Sequence, residues 1–245
     1  MQKYIQEVLN NMPTDWLKLT THRLDIYNED LAKVQFLEQF ETLFEADNAT
    51  TSALEILPTA YDYIRLGHPL SCILEWVIAK EYVAKSEAVI SFSSTTTPTL
   101  AVLRKNLLDN KNTRILYTGE KPDFDTEIIR KVYGYIFDMS EVSSTQEVSD
   151  FDGSTIYISE REDVSKFDLR DNIDFFINTH SQLGSVLFIH GPENAEYISD
   201  IQHVRRRETI AMTPADCKTA LEIIVGTLGD KEKASHIDQD KKKVK

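Results

Sequence analysis

Cysteine is scarce in this 245-residue chain. Only Cys72 and Cys217 are present, too few for a disulfide framework. Both fall within helical apolar patterns, so buried structural thiols are the expectation, with reactive thiols as the alternative. Positive charge is also in deficit: 27 Lys and Arg against 40 Asp and Glu leave a net charge of −13. A phosphate backbone or an anionic membrane needs a basic face, so general nucleic-acid and membrane-surface binding are excluded. Arg205-Arg206-Arg207 is the one local exception. There is no run of eighteen apolar residues to cross a bilayer, and Met1 opens on a mixed polar helix rather than a signal peptide. The expectation is a soluble, cytoplasmic protein. No internal repeat is visible. His22, His68, His180, His190, His203 and His236 stand at no metal-ligand spacing with Cys or carboxylates, and no metal is expected.

What is present suits an ordinary globular domain: 41% hydrophobic and 27% charged residues, in a chain long enough to bury a real core. Residues 1–50 carry helical patterning. Leu31, Val34, Leu37, Phe40, Leu43 and Phe44 form an apolar stripe that must pack on the main body or on another subunit. From Tyr63 onward helices and strands alternate. Ile73, Leu74, Val77, Ile78 and Tyr82 mark one face of a long helix. Strands are expected at 88–90, 114–117, 135–139, 155–159, 174–178 and 185–190, with helices near 125–133, 193–207 and 214–228. Thr213 and Pro214 cap the last of these. Near-continuous apolar strands separated by helices predict an α/β fold, a mainly parallel sheet with helices on both faces. The three arginines ending helix 193–207 suit a helix C-terminus, or else an anion or partner site. Residues 230–245 are charged and read as a solvated tail. The organisation is thus a helical arm (1–52), a main domain (53–229) and a disordered tail (230–245).

The organising stretch is 63–103. Here a buried strand leads through Ser93-Ser94-Thr95-Thr96-Thr97-Pro98 into a helix, a junction suited to an anion. Tyr63-Ile64-Arg65-Leu66-Gly67-His68-Pro69 resembles the Y-S-R-x-G-N-P signature of the Cys/Met-metabolism (transsulfuration) pyridoxal-phosphate enzymes, a family that includes cystathionine γ-synthase and the cystathionine lyases. Leu74-Glu75, Phe92-Ser93-Ser94 and Leu116-Tyr117-Thr118-Gly119 then resemble its L-E, F-S-S-G-M and L-Y-G-G stretches, in the family's order. Asn194-Ala195-Glu196 and Thr213-Pro214-Ala215-Asp216-Cys217 resemble two later ones. The resemblance covers about residues 60–228. It implies the large cofactor-binding domain of fold-type I enzymes, resembling aspartate aminotransferase. It also implies roles: Tyr63 and Arg65 reaching the phosphate of a neighbouring subunit, Ser94 and Thr95 cradling it, Tyr117 stacking on the pyridine ring.

The departures bear on chemistry. Pyridoxal-phosphate catalysis needs a lysine for the Schiff base and an acid to keep the pyridine nitrogen protonated. The family's S-x-T-K-Y-L-G corresponds to Asn178-Thr179-His180-Ser181-Gln182-Leu183-Gly184, which puts Ser181 at the lysine position. No lysine occurs between Lys166 and Lys218. Ser159 falls where the family holds its pyridine-binding Asp, with Glu160 or Asp163 as substitutes if the register slips. The stretch between Tyr117 and Ser159 is shorter than the family's, and the chain ends after the helix that closes the large domain, without the C-terminal domain and its carboxylate-gripping arginine. The resemblance therefore implies a degenerate homologue without Schiff-base catalysis, holding pyridoxal phosphate non-covalently if at all. It would associate with its own kind or with a full-length homologue. The competing readings are an active carbon–sulfur lyase or transferase completed by a second chain, and an unrelated α/β interaction protein.

Overall fold

A computed structural model describes residues 1–18, 29–58 and 63–226; of residues 29–32 it describes the helix but not the side chains. The expectations for Leu31, His22, His236, the end of the last helix at 228 and the tail lie outside the described residues. Four helices come first: α1 (Gln2–Asn11), α2 (Glu29–Glu45), α3 (Thr51–Glu55) and α4 (Pro69–Glu81). The alternating part follows as β1 (Val89–Phe92), α5 (Thr97–Leu108), β2 (Thr113–Thr118), α6 (Thr126–Tyr133), β3 (Asp138–Glu141), β4 (Ser154–Glu160), β5 (Phe175–His180), β6 (Gly184–Ile189), α7 (Tyr197–Glu208) and α8 (Pro214–Ile224).

The six strands form one sheet in the order β1-β6-β5-β4-β2-β3. β5, β4, β2 and β3 pair in parallel, whereas β6 is antiparallel to both of its neighbours. One strand thus runs against the other five, and the sheet is mixed though mostly parallel. The reason is the connection. Only Ser181, Gln182 and Leu183 separate β5 from β6, and a parallel crossover needs a dozen residues or more. His180 closes this hairpin, its Nδ1 accepting from the backbone N–H of Gln182 (3.1 Å) and Leu183 (3.3 Å). Gly184 has φ +101°, and a Cβ there would stand 2.2 Å from the Phe92 carbonyl oxygen, so only glycine lets β6 approach β1.

Alternation along the strands divides the core between the two faces. Val89, Leu116, Tyr157, Phe176, Val186 and Phe188 join side chains of α1, α2, α4 and α8. Ile90, Phe92, Ile115, Ile156, Ile158, Phe175, Ile177, Leu187 and Ile189 join those of α5, α6 and α7. Helices cover both faces, as the sequence pattern predicts.

Three elements differ from expectation. α4 is buried all round, from Leu70 to Ala79, rather than along one stripe. It lies between the sheet and an outer helical layer, where Phe40 and Phe44 of α2 meet Trp76 edge-on at 5.4 and 5.3 Å. The N-terminal stripe therefore packs on the main body. β3 begins three residues later than the alternation of Tyr135 and Phe137 suggests. Those two rings are buried in the approach to it, and pairing starts only where Asp138 meets Arg114 of β2. The helix expected from 193 begins as a short 3-10 turn, Pro192–Asn194, and α7 proper starts at Tyr197. α8 starts as predicted: Thr213 Oγ1 accepts from the Asp216 N–H at 3.2 Å and donates to its carboxylate at 2.6 Å.

Candidate functional site

In an open α/β sheet, ligands bind outside the carboxyl ends of the parallel strands. A cavity of about 290 Å3 lies there. Its walls come from three connections: Thr95 and Thr96 before α5, residues 120–124 between β2 and α6, and Thr179, His180 and Ser181 at the end of β5. Ile158 and Glu160 at the end of β4 complete it. The lining is of mixed character. Four hydroxyls, the Phe124 ring, three carboxylates (Glu120, Asp123, Glu160) and the cation Lys121 share it.

The structure brings Thr95 and Ser181 together in this wall. Ser94 lies at the same turn, but its side chain is turned into the head of α5. Its Oγ accepts from the N–H groups of Thr96 (3.2 Å) and Thr97 (3.1 Å) and from the Thr97 hydroxyl (3.0 Å). Ser159 falls between Ile158 and Glu160 and so points to the opposite sheet face. There it is buried, donates to Asn178 Oδ1 at 2.8 Å and accepts from Arg161 Nε at 3.2 Å. Of its two substitutes, Glu160 lines the cavity, while Asp163 Oδ1 is taken by the N–H and hydroxyl of Ser165. Tyr117 packs against the core of the α5–α7 face and is not among the cavity-lining residues. Tyr63 and Arg65 are elsewhere. Tyr63 lines a second cavity, of about 480 Å3, with Trp16, Phe36, His68 and Pro214. Arg65 is exposed and donates weakly to the carbonyls of Arg206 (3.5 Å) and Arg207 (3.4 Å).

Beside the β1–α5 turn lies a buried ionic cluster that sequence reasoning missed. Glu75 of α4 meets Lys33 Nζ at 2.6 Å and Arg205 Nη1 at 3.1 Å, all three side chains being almost wholly buried. Glu75 also accepts from the backbone N–H (2.9 Å) and hydroxyl (2.8 Å) of Ser91 in β1. Arg205 reaches on to the carbonyls of Ser91 and Leu66, and Lys33 to that of Ser86. Burial opposes the charge on Glu75, but Lys33 and Arg205 outweigh it and hold the carboxyl below its ordinary value. Arg205 is thus an internal counter-ion, not a surface cation ending a helix. Two signals were available: Glu75 interrupts an apolar run, and Lys33 sits on the α2 stripe at heptad spacing from Phe40.

His68, Cys72 and Cys217 are structural. His68 is the N-cap of α4, where Nδ1 accepts from the Ser71 N–H (3.2 Å) while Nε2 donates to the Met212 carbonyl (2.7 Å). Burial lowers its pKa to about 4. Burial likewise pushes Cys72 up to about 12 and raises Cys217, so neither thiol is an activated nucleophile. Among the described residues no three His, Cys, Asp or Glu side chains are grouped to hold a metal ion, and no helix is long and apolar enough to cross a membrane.

No protein-family model and no curated protein matches the sequence. Solved structures do. The crystal structure of metB from Corynebacterium glutamicum superposes with a TM-score of 0.50 at 13% identity, over 92% of this chain and 64% of that one. Cystathionine gamma-lyase from yeast gives 0.52 at 11% identity, over 91% and 63%. The fold is that of the large domain of fold-type I pyridoxal-phosphate enzymes. The chain spans less than two thirds of the length of either structure, and identities this low establish shared architecture only.

On this large-domain fold the cofactor can be tested against the residues present. Ser181 offers a hydroxyl, which forms no imine with an aldehyde. Ser159 is turned from the cavity and carries a guanidinium against its hydroxyl, the opposite sign to the acid that would keep a pyridine nitrogen protonated. At the head of α5 the N–H groups of Thr96 and Thr97 are already bonded to Ser94. Ser181, Ser159 and Ser94 thus do not supply the groups that a catalytic pyridoxal phosphate would need, and Lys121 is the amine in the same lining.

Proposed function

We propose that this chain is a non-catalytic binding protein built on the large-domain fold of the Cys/Met-metabolism pyridoxal-phosphate enzymes. The observation that carries this reading is Ser181 in the cavity wall, at the position where the resemblance expects the Schiff-base lysine. Without an amine there, electron-sink chemistry is unavailable, while the cavity remains large enough for a small ligand. Its role is to bind such a ligand or to associate with and regulate a full-length homologue, in the cytoplasm. Ile128, Val132, Tyr133 and Ile136, exposed on and just after α6, favour association.

A second reading, an active carbon–sulfur lyase or transferase, is favoured by one residue. Lys121 lines the same cavity as Ser181. One experiment separates the two. The protein is incubated with equimolar pyridoxal phosphate, its absorbance in the imine band is followed, and the mixture is reduced with borohydride and digested. The non-catalytic reading expects no imine band and no stoichiometrically labelled peptide. A labelled Lys121 peptide, together with loss of label in Lys121→Met, establishes the second reading instead.

A further inference from the structure

We propose that the Ser94 hydroxyl takes, from within the chain, the place at the head of α5 that an anion would occupy, so that the cavity does not recognise a phosphate group. The proposal deepens the non-catalytic reading and rests on it for the assignment of the cavity. A helix N-terminus holds an anion through free N–H groups aimed at it. Here two of those groups are spent on a side chain. Thr96 and Thr97 donate to Ser94 Oγ at 3.2 and 3.1 Å, and the Thr97 hydroxyl donates to it at 3.0 Å. Pro98, next in the helix, has no N–H. A hydroxyl oxygen has two lone pairs, so three converging donors saturate it.

The turn is also held in place. The Ser94 carbonyl accepts from Ser185 Oγ in β6 at 2.6 Å, and the Ser93 N–H donates to the Ile210 carbonyl at 3.2 Å. The backbone that carries Ser94 is therefore held on both sides. Nor does the rest of the cavity attract an anion. Glu120, Asp123 and Glu160 face it against the single cation Lys121. His180 turns its Nδ1 into its own hairpin, accepting from the N–H groups of Gln182 and Leu183. Resemblance alone would place a phosphate cradle at this turn. The geometry shows the Thr96 and Thr97 donors of that cradle already bonded to a side chain.

The test uses a pair of probes that lack the aldehyde, 4-deoxypyridoxine and its 5′-phosphate, so that its outcome is independent of imine formation. Binding of both, and competition by inorganic phosphate, are measured by calorimetry on the full chain and on the Ser94→Gly and Ser94→Ala variants, with thermal melts to confirm folding. The wild type is expected to show no preference for the phosphorylated probe. Either folded variant is expected to prefer it by about tenfold or more, the scale of one or two freed charge-assisted hydrogen bonds. The proposal is overturned if the wild type prefers the phosphorylated probe by about tenfold, if inorganic phosphate competes in the wild type, or if both folded variants gain no preference. A trapped imine in the earlier experiment would remove the non-catalytic reading and leave this result standing.

Discussion

Replacing Glu75 should unfold this protein's architecture more effectively than any change at the cavity. Glu75 lies 2.6 Å from Lys33 and 3.1 Å from Arg205. At an effective dielectric constant of about 20 these contacts correspond to gross attractions of about 6 and about 5 kcal/mol. Most of that offsets desolvation, so the cluster contributes little beyond what well-packed apolar residues would. Removing the acid alone is different. Glu75→Gln leaves two buried cations facing each other without a counter-charge, a situation that costs about 3–5 kcal/mol, against a total stability of roughly 5–15 kcal/mol. In urea, with a slope near 3 kcal/mol/M, the unfolding midpoint should fall by about 1–2 M. Adding Lys33→Met to Glu75→Gln should recover part of the loss, with a coupling energy of about 0.5–3 kcal/mol. The triple replacement Lys33→Met, Glu75→Leu, Arg205→Met should return close to wild type. The reasoning is refuted if Glu75→Gln shifts the midpoint by less than about 0.3 M, for the cluster would then be hydrated rather than buried.

Acidity provides an independent measurement. The lowered pKa of Glu75 means that its contribution is complete above the carboxylate's unfolded value and is lost as pH falls through the folded one. His68 acts over a higher window. Its folded pKa of about 4 lies below the ordinary 6.5, so the unfolded chain binds the extra proton, and roughly 3 kcal/mol disappears between about pH 6.5 and 4. His68→Asn keeps a capping side chain and should flatten stability against pH in that interval, at a cost of about 1 kcal/mol near neutrality for the lost bond to Met212; an unchanged pH profile would contradict a buried neutral imidazole at this position. Gly184→Ala puts a methyl group onto the Phe92 carbonyl and should destabilise by about 2 kcal/mol or more, seen as a drop in the thermal midpoint of several degrees. Val83, at φ +54° and 96% exposed, holds the left-handed position after α4 that glycine usually fills. Val83→Gly should stabilise by about 0.5–1 kcal/mol, and a lowered melting temperature would show that the valine side chain has a partner.

Much of the α/β part was legible because buried strands announce themselves. Ile156-Tyr157-Ile158, Phe175-Phe176-Ile177 and Val186 to Ile189 are apolar on both sides, and Thr213-Pro214 marks a helix start by local chemistry alone. Strand direction was not in those runs. It was in the three residues between β5 and β6, too few for any crossover. The N-terminal stripe showed a face without naming its partner, since periodicity fixes orientation and not address. Lys33 and Glu75 are 42 residues apart, and only the tertiary fold reveals that they meet. At the cavity, the motif order placed Thr95 and Ser181 on one wall. It also pointed to the lysine-free stretch between Lys166 and Lys218, and so away from Lys121. Ser159 illustrates the period-two rule: a residue one place from Ile158 or Glu160 looks to the other side of the sheet.

β1 lies at the sheet margin with β6 as its partner strand, Val89 standing opposite Phe188. Roughly a hundred residues of chain must leave the ribosome between the two. Throughout that interval Val89, Ile90 and Phe92, all destined for the interior, have no strand beside them. Long-range pairing of this kind slows folding and leaves sticky intermediates. The nascent polypeptide is accordingly a natural client for chaperones, and fragments ending before Ile189 should accumulate as insoluble material rather than as smaller folded units.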